Sequence, residues 1–486
     1  MELSNNPRSR GHEEAPPVLL SDLTQVKNSS FSAAQQQGYS ATIFLRRKDK
    51  LEKTQQKCIA IFALLCCFAV LLVLIFSSVD LWGDSEDGIT EENCRTDCRI
   101  VLMETIPEDL KEHLNARPHL PLFVGFHALL DRAKHSVQVV SPVWNLRPLE
   151  EESTPTTGRQ GQLLFQRLLT LKSRGVKLKI ASSLTNSAEQ KILATHRQRT
   201  PESQLFSCIT GDFFFLPDTP QRKELGLMVY NCSCLALDLH RVFSFYWQLH
   251  ERDYIPSIWS KRVTALYGRH QPLELQLNNT PAVAYVSSSP GLFCAKERTK
   301  DVDAIYHVMQ SAKTFVFISV TDYLPLVSRR LRGTLVTRYW SPLDEMIREA
   351  VVLRGIKVRL LISFWKNTHP LTFNFVTSLQ SLCMQLYNCS LEVRFFSHKE
   401  QNDDVQHGLN HNKYMLTDNA LYIGNHNWVG NEFSDNGGVG LVVQMKNRGG
   451  KIMEQLKAAF ERDWTSPYSK SLLGNQDRYD KYGHLH

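Results

Sequence analysis

Two things are missing from this chain, charge from one stretch and a second copy of a motif from another. Cys58 to Val79 (CIAIFALLCCFAVLLVLIFSSV) carries no charged residue over 22 positions, while the composition as a whole is ordinary at 42% hydrophobic and 22% charged. A buried core helix would carry a polar stripe, and a cleaved leader would start much nearer Met1. The run therefore predicts a helix that crosses a bilayer. Histidine and cysteine are not spaced as a zinc site, apart from two short cysteine pairs taken up below, so neither a metal nor another cofactor is expected. A strong charge imbalance is also lacking. The net +7 comes partly from Arg46, Arg47, Lys48, Lys50, Lys53 and Lys57, which suit an anionic cytoplasmic leaflet and do not by themselves indicate nucleic acid.

Those cations precede the apolar run, and Asp80, Asp84, Glu86 and Asp87 follow it. The positive-inside rule then places the N-terminus in the cytosol and the large C-terminal part in a lumen or outside the cell, as in a type II signal anchor. Three cysteines fall in the run (Cys58, Cys66, Cys67) and eight beyond it, an even number that suits disulfides in an oxidising compartment. Sequons at Asn231, Asn278 and Asn388 lie on the same side, whereas the one at Asn28 would face the cytosol and stay bare. Endoplasmic reticulum or endolysosomal pathway is the expected location.

Residues 1–57 read as a disordered cytosolic tail with a basic juxtamembrane end, 58–79 as the anchor and 80–110 as a lumenal stalk. A repeat organises the rest. Leu129-Leu-Asp-Arg-Ala-Lys-His-Ser-Val-Gln-Val-Val-Ser returns as Val308-Met-Gln-Ser-Ala-Lys-Thr-Phe-Val-Phe-Ile-Ser-Val, and Ser173-Arg-Gly-Val-Lys-Leu-Lys-Ile returns as Leu353-Arg-Gly-Ile-Lys-Val-Arg-Leu. In each copy a helix (165–172 and 344–352) ends near glycine and a β-branched strand follows. Two α/β lobes, 111–275 and 276–486, with mainly parallel sheets are expected. A third pair, Gly226-Leu-Met-Val-Tyr-Asn and Gly440-Leu-Val-Val-Gln-Met, breaks the register. Between the glycine landmarks, 175–226 is about 34 residues shorter than 355–440.

The longer interval holds His411-Asn-Lys413, then Asp418 and Gly424-Asn-His-Asn427, and His411 alone among 17 histidines is followed two positions on by lysine. On an extended strand residues two apart share a face, so an imidazole and an ammonium would enter one cleft. That pair suits phosphodiester cleavage: the imidazole attacks phosphorus or moves a proton, and the cation holds an oxyanion. The short interval has only His196-Arg-Gln, and a rigid 180-residue offset sets Asn231 and Ser233 opposite His411 and Lys413. Either way the first lobe has no catalytic pair.

H-x-K-x4-D with a trailing G-x-x-N resembles the phospholipase D superfamily motif, of which its enzymes use two. Cys94-x3-Cys98, Lys223-Glu-Leu-Gly, Tyr230-Asn-Cys-Ser-Cys, Tyr339-Trp340, Leu409-Asn-His-Asn-Lys-Tyr-Met and Phe460-Glu-Arg-Asp-Trp resemble its single-pass type II branch, and the anchor region from Leu45 to Cys58 resembles the inactive subgroup of that branch most. The resemblance implies an α/β fold of two phospholipase D-like lobes, tandem α/β sandwich repeats, after one transmembrane helix. It also implies that His411 is one catalytic histidine, with Lys413, Asn425 and Asn427 around the phosphate and Asp418 orienting the strand and turn. Asn425 stands where the family usually has serine. With one motif missing, the expected protein is a pseudoenzyme. The alternative is a residual phosphodiesterase or 5′ exonuclease on nucleic acid or phospholipid, passing through a phosphohistidine at His411, with a homodimer open as the way to pair two motifs. A further reading is that 187–222 reflects splicing or an imperfect gene model. Partners beyond the membrane and a phosphodiester ligand are not indicated.

The resemblance also favours Cys94–Cys234 and Cys98–Cys232 as disulfides, with Cys232-x-Cys234 on one face of a strand and Cys94 a helical turn from Cys98. The residues alone allow the swapped pairing or a zinc cluster. Cys383 and Cys389 are placed to pair locally, and Cys208 and Cys294 stay unassigned. Phe213-Phe-Phe-Leu reads as a buried strand, Phe364, Trp365, Phe373 and Phe375 as core or cleft wall, and Arg329, Arg330 and Arg332 as a solvated loop.

Overall fold

The computed structural model describes residues 57–72, 97–114, 119–141, 146, 155–182, 192–193, 207–210, 222–249, 263–398, 408–446 and 449–472. Two units are distinguished, Met1–Leu81 and Trp82–His486. In the first, the described residues form a helix over 57–72 that is exposed along nearly its whole length. Among the described residues no helix is long and apolar enough to cross a membrane. Residues 73–79 of the expected span, the cytosolic tail, the acidic segment 80–93, Cys94 and the Phe213 run lie outside the described residues.

The second unit begins with β1 (Arg99–Thr105), α1 (Glu108–Leu114), α2 (Leu122–Arg132), β2 (Ser136–Val140), α3 (Pro155–Ser173), β3 (Lys177–Ala181), β4 (Ser207–Thr210), β5 (Glu224–Tyr230) and α4 (Ser233–Leu249). It continues with β6 (Leu273–Leu277), β7 (Thr280–Ser289), β8 (Thr299–Lys300), α5 (Asp301–Ser311), β9 (Phe315–Val320), β10 (Tyr323–Leu324), β11 (Leu326–Leu331), β12 (Thr334–Tyr339), α6 (Pro342–Arg348), β13 (Lys357–Ser363), α7 (Leu371–Ser381) and β14 (Leu391–Phe396). Last come β15 (Tyr414–Thr417), β16 (Ala420–Gly424), β17 (Trp428–Val429), α8 (Gly430–Asp435), β18 (Gly438–Met445), α9 (Lys451–Thr465) and β19 (Ser469–Ser471).

The second lobe is built on a ten-stranded sheet in the order β19-β14-β13-β9-β15-β16-β18-β7-β6, with β8 beside β7. Its central strands read as nearly unbroken apolar runs because both faces are covered. On one side α5 buries Ala304, Ile305, Val308 and Met309, and on another α9 buries Ile452, Met453, Leu456, Ala459, Phe460 and Trp464, at the three- and four-residue spacing of an amphipathic helix. The expectation of mainly parallel sheets is corrected. In the large sheet only β9–β13, β13–β14 and β7–β8 run parallel, and the other neighbours are antiparallel. The cause is local: β15 and β16 are joined by a tight turn at Asp418-Asn419, which needs no crossover.

The sequence repeat is a repeat in space. Ser136 of β2 pairs with Lys177 of β3, and Phe315 of β9 pairs with Lys357 of β13, the same register once the offset is applied. Gly175 and Gly355 both take positive φ, 72° and 61°, where a side chain would be strained. Arg174 donates to the carbonyls of Leu130, Asp131 and Ala133 at the end of α2, and Arg354 donates to those of Met309, Gln310 and Ala312 at the end of α5. The two arginines thus close equivalent helix ends, supplying donors to carbonyls of the last turn and the cap.

The third landmark pair fits as well. Gly226 of β5 pairs with Met103 of β1 as Gly440 of β18 pairs with Ser287 of β7, and β4 lies on β5 as β16 lies on β18. With these equivalences the second lobe runs β13-β9-β15-β16-β18-β7. Among the described residues the first has β3-β2 as one sheet and β4-β5-β1 as another. Among the described residues nothing stands between β2 and β4, the place that β15 fills in the other lobe. Residues 182–206 link β3 to β4, whereas 364–419 link β13 to β16, a stretch that holds α7, β14, His411 and β15.

Several boundaries move. Residues 99–105, placed in the stalk, form β1 and pair along their full length with β5, and the 275/276 lobe boundary falls inside β6. Cys232-x-Cys234 is not in a strand: Cys234 lies in the first turn of α4, and Cys98 leads into β1 rather than sitting on a helix. Cys98–Cys232 and Cys383–Cys389 are disulfides, and Cys234 is also disulfide-bonded. Arg329, Arg330 and Arg332 belong to an exposed hairpin, β11–β12, whose turn is Arg332-Gly333, both at positive φ.

Candidate functional site

His411 is anchored from both lobes. Its backbone N–H donates to the Lys223 carbonyl at 2.8 Å, and the Lys223 N–H donates to the Leu409 carbonyl at 2.9 Å, so the approach to β15 is tied to the start of β5. His411 and Lys413 lie just before β15 rather than in a strand, which corrects the expected placement, yet their side chains meet as the two-residue spacing predicts. Lys413 Nζ lies 3.1 Å from His411 Nε2 and 3.3 Å from Thr321 Oγ1, at the end of β9. His411 Nδ1 lies 3.2 Å from Glu224 Oε1, a carboxylate delivered by the first lobe. Burial, then Lys413, then Arg222 hold the imidazole well below its usual value. A neutral ring with Nε2 beside an ammonium is the form that attacks phosphorus or takes a proton.

Asp322 follows Thr321. Its carboxyl accepts from Trp365 Nε1 at 2.9 Å, yet burial pushes it up to about 6 against the pull of that bond and of Lys413. Trp365 therefore belongs to the cleft wall by way of its N–H. Phe373 packs on Phe364 and Phe395, and Phe375 stacks on Tyr339, so the other aromatics are core.

Asn427 sits beside the same corner, but its groups are committed. Oδ1 accepts the Asp322 N–H at 3.1 Å, Nδ2 donates to Glu432 Oε1 at 3.0 Å, and its backbone N–H donates to Glu432 Oε2 at 2.7 Å. Asn425 is turned elsewhere, accepting the Val439 N–H at 2.8 Å. Asp418 is not brought to His411 at all. It lies past the far end of β15, where Oδ1 accepts the N–H groups of Lys313 and Thr314 and fixes the link from α5 to β9. These bonds keep its carboxyl below the usual range although burial opposes them. A cavity of about 380 Å³ lined by Lys313, Asp418, Asn419 and Lys446 is at that same end, away from the imidazole.

A second imidazole approaches through Glu432 and is already occupied. His426 Nδ1 is 3.7 Å from Glu432 Oε2, and Nε2 meets Ser289 Oγ at 2.5 Å, with Ser289 Oγ also 3.2 Å from Asp301 Oδ2. The first lobe contributes Arg222, Lys223 and Glu224 to this region. Continuing the β4–β16 equivalence in sequence sets Gly211-Asp-Phe-Phe214 opposite Gly424-Asn-His-Asn427, so phenylalanine replaces the asparagine of the motif. Among the described residues no group of three or more histidine, cysteine, aspartate or glutamate side chains is placed to hold a metal. Of the sequons, Asn231 and Asn388 are exposed. The Asn278 amide is engaged in both directions with the Ile100 backbone.

Glu224, Thr321, Asp322 and Glu432 escape a motif search. Lys223-Glu-Leu-Gly is visible as a landmark, but its role at His411 depends on the packing of one lobe on the other.

A family model described as PLD3/4, PLD-like domain matches residues 113–207 and 218–401. Inactive phospholipase D5 of Mus musculus is 47% identical over 498 aligned residues, covering 96% of this chain and 90% of that protein. The 5'-3' exonuclease PLD3 of Xenopus laevis is 33% identical, covering 84% of this chain and 88% of that protein. Among solved structures, phosphatidylserine synthase of Haemophilus influenzae aligns over 77% of this chain and 87% of that one, with a TM-score of 0.49 and 10% identity.

Proposed function

We propose that this chain, which belongs to the phospholipase D-like family, is a non-catalytic member of it. The observation that carries the reading is the split first-lobe sheet, where the strand equivalent to β15 is missing between β2 and β4 among the described residues. With it goes the second His-x-Lys, the group that would protonate the leaving oxygen or serve as nucleophile. Removing one member of a catalytic unit that acts jointly abolishes most of its rate. The name of the relative inactive phospholipase D5 agrees with this reading, and that of the exonuclease PLD3 supports the alternative only weakly.

The full-length protein in detergent, given a chromogenic phosphodiester and 5′-phosphorylated single-stranded DNA at pH 5 and pH 7.5, is expected to show neither turnover nor a trapped phosphohistidine. Turnover abolished by His411→Ala would defeat the reading. That second outcome describes a residual phosphodiesterase or 5′ exonuclease, and the neutral His411 beside Lys413 is what favours it. Such an enzyme would need a homodimer to bring two His411 residues together, a state that light scattering would detect.

The same reading makes the chain a type II membrane glycoprotein of the endoplasmic reticulum or endolysosomal pathway, anchored by residues 58–79. Its support is the uncharged run, the basic residues before it and the disulfides beyond it. Asn231→Gln and Asn388→Gln should each remove one endoglycosidase-sensitive mass shift in intact cells; unshifted wild-type protein would refute this topology.

A further inference from the structure

We propose that the Glu432 carboxylate occupies the phosphate subsite beside His411 as a built-in anion, so that the half-site is filled by its own side chain. The inference rests on the non-catalytic reading for its meaning, since a working site would have to admit a phosphate there.

Its basis is the donor set. Asn427 is the motif residue expected to hold a phosphate oxygen, and it turns its backbone N–H and an Nδ2 N–H on Glu432: the backbone N–H reaches Oε2 at 2.7 Å and Nδ2 reaches Oε1 at 3.0 Å. Two oxygens of one carboxylate on two N–H groups is the arrangement a bound phosphate would make. The orientation of the amide is not free, because its Oδ1 accepts the Asp322 N–H at 3.1 Å. The Nδ2 end therefore always faces the position where Glu432 sits.

Charge agrees with the donors. Burial opposes ionisation of Glu432, but His426, then Lys413 and the Asn427 donors, hold its carboxyl below the usual range, and the Lys413 Nζ is 3.1 Å from His411 Nε2. The carboxylate and the reactive imidazole thus share one cation. Glu432 is also held from behind. His426 Nδ1 stands 3.7 Å from Oε2, and its ring has room only because residue 438 is glycine: a Cβ there would lie 1.9 Å from His426 Nε2. Gly430 seats the short helix α8, since a Cβ at that position would meet the Leu326 carbonyl at 2.5 Å. The side chain is 23% exposed, so solvent reaches the carboxylate.

A free anion must displace this carboxylate and leave it without its two N–H partners. Glutamine in its place cannot match both with an oxygen, because its amide nitrogen, a donor, would face either the Asn427 backbone N–H or Nδ2.

The test uses sulfate, whose charge is constant across the working pH range, and the full-length protein, with binding followed by titration calorimetry and by Trp365-sensitive fluorescence. Wild type is expected to show no saturable sulfate binding that depends on Lys413. Glu432→Gln and Glu432→Ala should bind sulfate saturably, at least about tenfold more tightly than the weakest binding the wild-type titration would detect, a gain of at least about 1.4 kcal/mol. Adding Lys413→Met to Glu432→Gln should remove the gain. Saturable wild-type binding that disappears in Lys413→Met overturns the proposal, and this arm needs no Glu432 variant to fold. Equal binding by wild type and both Glu432 variants, or a gain that survives Lys413→Met, also overturns it. These readouts are separate from turnover: diester cleavage by wild type would defeat the non-catalytic reading, whereas a failure here would leave that reading intact with an empty subsite.

Discussion

At Asp322 a carboxyl is buried beside a cation and an indole N–H, and burial prevails, raising its pKa to about 6. An unfolded aspartate titrates near ~3.9, so the folded protein holds this proton more tightly than the unfolded one does. Ionising it costs stability as pH rises through the window from about 4 to about 6, and the full cost persists above that. Asparagine keeps an acceptor for Trp365 and cannot ionise. Asp322→Asn should therefore leave the melting temperature unchanged near pH 4 and raise it near pH 7.5, by roughly 2–3 kcal/mol of stability at 1.36 kcal/mol per unit. A loss that is larger near pH 7.5 than near pH 4 in a thermal unfolding series would show that the charge is worth more than its burial costs. At this scale the chain is half legible. His411 and Lys413 are readable because a strand has period two. Asp322 and Glu432 are not, because they reach the same corner only through the β9–β15 and β10–β17 pairings.

At the scale of elements the repeat is the most legible feature, and the reason is chemical. Arg174-Gly175 and Arg354-Gly355 each combine a left-handed glycine with a guanidinium that spans three carbonyls of the preceding helix. Neither residue can be exchanged freely, so the pair survives as a readable landmark. Arg354→Met keeps the aliphatic stem and deletes the donors, and should cost about 2–4 kcal/mol in chemical denaturation, given ~1.5–3 kcal/mol for bonds to a charged group and partial replacement by water. Arg174→Met should cost a similar amount. With no partner in common, the double substitution should approach the sum; a double variant no worse than either single one would mean that the two helix ends are not independent. Strand direction was the less legible part. Apolar runs such as those of β16 and β18 signal burial on both faces, which is common in parallel sheets. Only the short Asp418-Asn419 turn reveals the antiparallel hairpin. The position of the short interval followed from glycine counting, but which elements of the second lobe have no counterpart among the described residues of the first, α7, β14 and β15, emerges only from matching sheet registers.

On the scale of the whole second unit, the two lobes meet at Lys223, which is fully buried and lies 3.1 Å from Glu104 and 2.6 Å from Asp463. Arg462 completes the cluster, donating to Glu104 and Asp463, so β1, the start of β5 and α9 are joined by two cations and two anions. The backbone of Lys223 adds the bonds to Leu409 and His411, and the same residue therefore holds the surviving motif in place. Burial alone would raise the Glu104 carboxyl, but Lys223 and Arg462 outweigh it and bring it down to about 2. A depressed carboxylate contributes stability in full above its unfolded value of ~4.3 and loses it as pH falls toward about 2. Lys223→Met leaves two anions to one guanidinium in the interior, and at neutral pH should cost about 3–5 kcal/mol. The deficit against wild type should shrink between about pH 4 and pH 2, where Glu104 takes up a proton in the variant before it does so in wild type. Adding Glu104→Gln should restore part of the loss, since the cluster is then balanced again. Because Lys223 binds both lobes, hydrogen exchange in Lys223→Met should lose protection in Glu224–Tyr230 and in Tyr414–Thr417 together. Loss confined to the first lobe would show that His411 is held by its own sheet, and that Lys223-Glu-Leu-Gly serves the first lobe alone.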